Sequence, residues 1–154
     1  MIRRMEKSEA RAVMDVWLRT SNYSNSFVES DFWTMHYEFV KQKYIDRKDT
    51  FVYVKDNVIV GFTVVDEDNE ICGLFVEPAY QNRGIGRELI TFLKSEYTRL
   101  RIEIYAKNRK AFAFSLQMGF TVESASRQES NNELMYAMVW GGDDDEDDVK
   151  IWTR

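Results

Sequence analysis

Cysteine and histidine occur once each in this chain of 154 residues. A single cysteine, Cys72, excludes an intrachain disulfide framework and a zinc site built on cysteines. In a strand-like setting it reads as a small buried hydrophobe. The single histidine, His36, stands between Trp33 and Phe39 in an aromatic stretch with helical spacing, where it reads as a packing residue before a catalytic one. No apolar run approaches the length of a membrane span. None follows the charged opening Met1–Lys7 either, so a cytoplasmic protein with no membrane partner is expected. A basic excess is missing as well. The formal net charge is −5, and the run Asp143–Asp148 alone contributes −6, which leaves the rest near neutral at +1. Nucleic acid is therefore not expected as the main partner, and no metal is expected.

What is present suffices for one core. Hydrophobic residues make up 44% of the chain and aromatic residues 14%, a globular composition at a length that fits a single domain. Residues 1–5 read as a strand, and Ser8 as the N-cap of a helix to about Thr20 with Val13, Val16, Trp17 and Thr20 on one face. After the polar break Ser21–Asn25, the stripe Trp33, Tyr37, Val40, Tyr44 predicts a second helix. Strands follow at Phe51–Lys55 and Val58–Val65 around a two-residue Asp56-Asn57 turn, then at Ile71–Val76. A helix carries Ile85, Leu89, Leu93 and Tyr97. A strand at Leu100–Ala106 alternates Leu100, Ile102, Ile104 against Arg101, Glu103, Tyr105. A short helix at Arg109–Met118 and strands near Phe120–Ser126 and Glu133–Trp140 complete residues 1–140, read as one domain. Residues 141–154 read as a solvated acidic tail, because like charges repel and bury nothing. Guidance of a basic protein substrate is the alternative reading of that run.

Between the strand ending in Val76 and the helix from about Arg87 lies Gln81-Asn82-Arg83-Gly84-Ile85-Gly86. Glycines at a helix mouth let backbone approach a ligand. The first helical N–H groups lack intrahelical partners and sit at the positive end of the dipole. Such a turn suits a pyrophosphate. A dinucleotide loop would carry a third glycine where Leu89 stands, and a P-loop would carry Lys and Ser or Thr where Arg87 and Glu88 follow Gly86.

The form Gln-x-x-Gly-x-Gly after strand-x-Pro instead resembles the acetyl-CoA loop of the GNAT superfamily of N-acetyltransferases. Downstream, Asn108, Ala111, Phe114 and Gly119-Phe120 are similar to the second signature of that family, Asn-x-x-Ala-x-x-Phe-Tyr-x-x-x-Gly-Phe. The segment Arg101–Asn108 between them is similar to its fifth strand. The resemblance covers about residues 1–140 and is nearest to small bacterial members, including those proposed to acetylate protein lysines. It implies an α/β (α+β) fold: a mixed, mostly antiparallel sheet of about seven strands flanked by four helices. The implied order is strand, two helices, three strands, helix, strand, helix, two strands. Acetyl-CoA is the implied co-substrate and a primary amine, on a small molecule or a protein, the implied acceptor. A homodimer is left open.

Acyl transfer needs the co-substrate held, the amine deprotonated and the leaving thiolate stabilised. Holding is expected from Gln81, Asn82, Arg83, Gly84, Ile85, Gly86 and Arg87 on the pyrophosphate. The family's fourth and fifth strands splay, which implies main-chain groups of Leu74, Phe75 and Val76 along the acetyl-pantetheine arm, one N–H polarising the thioester carbonyl. A lysine-like amine with a pKa of about 10.4 is neutral roughly once in ~2,500 molecules at neutral pH, a deficit of about 4.6 kcal/mol. Glu103 matches a Glu that serves as base in some protein-acetylating relatives; Glu70 is the alternative, and a structural carboxylate the plain reading. Asn108 is implied as a contact near the pantetheine or, more simply, as a helix cap. The family's proton-donating Tyr is replaced by Ser115, which leaves direct protonation of the thiolate in doubt. In the fold the first two helices border the acceptor, so the Ser21–Val28 loop with Phe27, Trp33 and Tyr37 either shapes that pocket or is core. A non-catalytic acetyl-CoA-binding module is the rival that the missing Tyr supports.

Overall fold

The computed structural model describes residues 1–24, 30–45 and 49–142. Contacts divide the chain into two units: Met1–Asp68 with Cys72–Ile90, and Asn69–Ile71 with the chain from Thr91 onward.

In the first unit, a hairpin turns on two side chains that tolerate left-handed backbone. Asp56 and Asn57 have φ of 52° and 64°, the pair of positive values that lets a two-residue turn match the strand twist. They join β2 (Asp49–Lys55) to β3 (Val58–Val65), paired antiparallel, and β1 (Ile2–Arg4) adds antiparallel to β2. The register shifts between Tyr53, opposite Gly61, and Val54, opposite Ile59, so Val60 is an extra residue in β3. Such a bulge bends its strand and disrupts the ladder locally.

α1 (Ala10–Ser24) buries Val13, Met14, Val16, Trp17, Thr20 and Ser21, a stripe at the three- and four-residue spacing of one helix face. Val13, Met14, Val16 and Trp17 pack with Val52, Phe62 and Val64 of the sheet. The helix outruns its expected end at Thr20 because Ser21 still lies on the buried stripe. Its entry also differs from expectation. A 3-10 turn at Lys7–Glu9 precedes it with Glu6, not Ser8, at the N-cap, and the Glu9 carboxylate accepts the Glu6 N–H at 2.9 Å.

The expected second helix is two helices, α2 (Ser30–Met35) and α3 (Tyr37–Ile45), broken at His36. The His36 N–H bonds only three residues back, to the Trp33 carbonyl at 3.2 Å. Trp33, Thr34, His36 and Tyr37 are aromatic or β-branched, side chains that lose rotamer freedom in a helix. Trp17 meets Trp33 and Tyr37 edge to face at 6.0 and 6.2 Å between centroids, and that packing replaces helical continuity.

β4 (Glu70–Val76) starts in the second unit and continues into the first. In the second unit Glu70 and Ile71 pair in parallel with Arg101 and Ile102 of β5 (Arg99–Tyr105). β7 (Leu134–Gly141) runs antiparallel to β5, and β6 (Thr121–Arg127) antiparallel to β7. The strand order is β1-β2-β3-β4-β5-β7-β6, a mixed seven-stranded sheet. α4 (Ile85–Glu96) begins in the first unit, and α5 (Arg109–Gln117) lies in the second. β5 alternates as expected, with Leu100 and Ile102 buried and Glu103 exposed. Every residue of β6 is exposed, and its register with β7 skips Glu123. Among the described residues, no helix is long and apolar enough to cross a membrane.

Candidate functional site

In the first unit, a 3-10 turn at Pro78–Tyr80 leads from β4 into the turn before α4. Ile85, the first residue of α4, is buried and packs with Val60 and Leu89, which fixes the helix mouth. Ahead of it Asn82, Arg83 and Gly84 are exposed. Asn82 has φ of 64° and Gly84 of 87°. Alternation of left- and right-handed backbone aims successive N–H groups into one concavity, an arrangement that binds anions. A Cβ built on Gly84 meets nothing within 4 Å. The space beside the turn is open, as close approach of a phosphate requires. The Glu88 N–H closes the first helical bond on the Gly84 carbonyl at 3.0 Å, so the Ile85 to Arg87 N–H groups precede the helical ladder. The Arg83 guanidinium sits 5.5 Å over the Tyr80 ring, and Arg87 is exposed on the first turn of α4. These residues fit a pyrophosphate.

Gln81 behaves differently from the rest of the turn. Its side-chain amide reaches back to the Val76 carbonyl at 2.9 Å. Leu74, Phe75 and Val76 are all partly exposed, with the Phe75 ring stacked on Phe62 at 5.2 Å. Sequence reading missed Thr20, whose hydroxyl also donates to the Val76 carbonyl, at 3.3 Å. No motif marks it, and only its place on the buried stripe of α1 hinted at a contact.

In the second unit, Glu103 and Glu70 come to the same cation. Arg101 Nη2 is 3.9 Å from Glu103 Oε2, and Nε is 3.6 Å from Glu70 Oε1. Arg101 also forms an ion pair with Glu123, the residue skipped in the β6 register. Bulges recur where a side chain must be re-aimed, and neither Glu123 nor its bulge was legible in the sequence. Two residues beyond Glu103 on β5, Tyr105 Oη accepts a hydrogen bond from Asn131 at 2.9 Å. Burial is the main influence on the Tyr105 phenol and raises its pKa, only partly offset by the Asn131 bond.

The second signature spans both ends of α5. Asn108 Oδ1 accepts the Ala111 N–H at 3.1 Å as the N-cap. At the other end the Phe120 N–H bonds the Ser115 carbonyl and the Gly119 N–H the Leu116 carbonyl, both at 3.0 Å, with Gly119 at φ 94°. This is a Schellman closure, with the buried Phe120 as its hydrophobic partner. Ser115 is the buried residue of α5, 4% exposed. Trp33 and Tyr37 pack against the α1 core, while Phe27 and the loop from Asn25 to Val28 lie outside the described residues. Among the described residues no group of three His, Cys, Asp or Glu side chains is placed to hold a metal.

Residues 19–141 match the acetyltransferase (GNAT) domain family. Peptidyl-lysine N-acetyltransferase YiaC of Escherichia coli (strain K12) is 26% identical over 140 residues, 91% of this chain and 96% of that protein. Peptidyl-lysine N-acetyltransferase YjaB of the same strain is 24% identical over 126 residues, 81% and 84% of the two chains. The solution structure of apo YjaB from Escherichia coli superposes with a TM-score of 0.80 at 21% identity, covering 93% of this chain and 98% of the other. PaiA N-acetyltransferase from Thermoplasma acidophilum, in complex with coenzyme A, does so at 0.77 and 17% identity, covering 92% and 98%. At these identities the two structures speak for the fold, and the family match spans the turn at Gln81–Gly86 and both caps of α5. The chain belongs to the GNAT family and is an N-acetyltransferase of that type.

Proposed function

We propose that the protein transfers the acetyl group of acetyl-CoA to a lysine side chain of a protein, by direct attack in a ternary complex. The observation that carries the co-substrate assignment is the exposed turn Asn82–Gly84, with positive φ at both ends and open space beside Gly84, at the mouth of α4. The acceptor assignment is supported by two relatives that are both peptidyl-lysine N-acetyltransferases.

In this reading main-chain N–H groups of Asn82 to Arg87 bind the pyrophosphate, with the Arg83 and Arg87 charges beside them, while the Gln81 N–H stays on the Pro78 carbonyl. Main-chain groups of Leu74, Phe75 and Val76 orient the acetyl arm, and one N–H polarises the thioester carbonyl. Asn108 contacts the arm through its side-chain amide. Glu103, directly or through a water, takes the proton that the attacking amine must lose; Glu70 is the alternative. The nitrogen–carbon bond forms as the carbon–sulfur bond breaks. Ser115 holds the departing sulfur, or a water beside it, and solvent returns the proton. A thiol (pKa about 8.5 for cysteine) is far more acidic than an alcohol or an amine, so a thiolate leaves without a strong acid.

An acceptor panel tests the reading: lysine peptides, N-terminal peptides, polyamines, aminoglycosides and free amino acids, read by CoA release and product mass. Acetylation of lysine peptides above the other classes is expected. Release of CoA with small amines alone would move the acceptor to that class, and binding without any release would leave a non-catalytic module.

A further inference from the structure

In the first unit the end of β4 is held from several directions. Thr20 Oγ1 donates to the Val76 carbonyl from α1 at 3.3 Å, and Gln81 Nε2 donates to the same oxygen from the turn at 2.9 Å. The next residues repeat the contact. Arg19, beside Thr20, forks onto the carboxylate of Glu77, beside Val76, with Nε at 3.0 and 3.1 Å from its two oxygens. The Glu77 N–H bonds the carbonyl of Val60, the bulged residue of β3, at 2.8 Å. At Gly61 a Cβ would stand 3.0 Å from the Phe75 carbonyl, so the missing side chain allows that close approach. Two side-chain donors on one carbonyl match its two lone pairs.

We infer that Thr20 and Gln81 are positioning residues for acetyl transfer, acting through the Val76 carbonyl to fix the end of β4. The inference rests on the reading of β4 as the strand along the acetyl arm. Thr20 lies in no signature of the family. Gln81 opens the loop signature, yet its side chain points back to the strand. Main-chain groups of Leu74 to Val76 polarise the thioester only if this segment stays in register, and a displacement of about 1 Å at reacting atoms costs roughly 10²-fold in rate. Losing one donor leaves the carbonyl a second. Losing both leaves it without either side chain, so the two residues must be coupled.

The test uses Thr20→Val and Gln81→Met, which keep size and remove the donor, their double variant, and Thr20→Ser, which restores a hydroxyl. Each single change should lower kcat by several-fold up to about tenfold and move acetyl-CoA affinity by less than about twofold. The double variant should lose more than the product of the singles, and Thr20→Ser should stay near wild type. Amide exchange at Glu77 should quicken in the double variant while that of Leu89, in α4, holds. This readout needs no substrate and keeps Gln81→Met informative if Thr20→Val fails to fold. A folded double variant with wild-type kcat and Glu77 exchange overturns the inference, as do strictly multiplicative single effects. Gly86→Ala, run alongside, separates the causes. If it weakens acetyl-CoA binding while the double variant behaves as wild type, the positioning role alone falls; if neither changes anything, the loop reading falls with it.

Discussion

Glu103 and Glu70 share one guanidinium: Arg101 lies 3.9 Å from the first and 3.6 Å from the second. The two candidate bases are therefore neighbours of the same fixed charge. The strands that carry them pair at Glu70↔Arg101, so one residue of β5 links both.

If Glu103 is the base, Glu103→Gln should lower turnover at neutral pH by roughly 10²–10⁴-fold and leave acetyl-CoA affinity intact. Much of the loss should return at high pH, where the amine loses its proton unaided. Glu70→Gln should then have a small effect. The reverse pattern in steady-state pH profiles would transfer the role to Glu70.

The two glycines of the turn should fail for different reasons. Gly84 has φ of 87°, so Gly84→Val strains the backbone whatever it binds. Gly86 lies in the first turn of α4, where Gly86→Ala should favour the helix by roughly 0.8–1 kcal/mol. A loss of acetyl-CoA affinity in Gly86→Ala is therefore a direct reading of ligand approach, and Gly86→Val should weaken binding by more than about tenfold, ~1.4 kcal/mol. Calorimetric titration checks both; unchanged affinity in folded Gly86→Val would remove the turn from the site.

Asn108 accepts the Ala111 N–H as a cap and has a proposed contact to the acetyl arm, and two variants separate them. Asn108→Ala should cost about 1 kcal/mol of stability. Asn108→Asp keeps an oxygen acceptor at a helix N-terminus, which favours negative charge, and should hold stability while losing the amide donor. Lower acetyl-CoA affinity in a fully stable Asn108→Asp protein supports the contact; wild-type affinity removes it.

Ser115→Ala should lower turnover by less than the ~10² expected for loss of a full general acid. Abolished turnover with fold and affinity intact would make the hydroxyl essential. Ser115 is 4% exposed, so Ser115→Tyr must displace packed neighbours, and a loss of roughly 1–3 kcal/mol in denaturant unfolding is expected.

Arg3 forks onto Glu9 at 3.0 and 2.6 Å. These hydrogen bonds, ahead of any other influence, hold the Glu9 carboxyl below its ordinary 4.5. The folded state thus takes up this proton less readily than the unfolded chain. The contribution is complete above the ordinary value and is lost as pH falls through the lower folded one. Melting curves of wild type and Glu9→Gln should differ near neutral pH, begin to approach each other below about 4.5, and converge only once pH has fallen through the lower folded value. A gap that persists into strong acid would show that packing, not charge, makes the difference.

Local chemistry was legible in the sequence, and long-range contacts were not. The Asp56-Asn57 turn, the alternation on β5 and the buried stripe of α1 follow from residue type and spacing, and all are present. The second signature is also local at heart: Asn108 and Gly119-Phe120 close the two ends of one helix. The break at His36 was hidden because a stripe with period 3.6 looks the same whether one helix or two present it to Trp17. Gln81 was read as a main-chain phosphate contact from its motif, which says nothing of the bonds it makes here: its N–H to the Pro78 carbonyl and its side chain to a carbonyl five residues back. The Arg101–Glu123 pair joins residues 22 apart through a bulge, which no periodicity announces.

The bare outer strand β6 has a consequence for solubility. A strand exposed along its whole length is a template for another chain. Here the composition Thr121-Val122-Glu123-Ser124-Ala125-Ser126-Arg127 resists that, with charge at two positions and hydroxyls at three, while the skipped Glu123 spoils a straight edge. Replacing Ser124 and Ser126 with valine would raise β-propensity and remove that protection together, and the chain would gain a sticky rim without losing a single internal contact of its core.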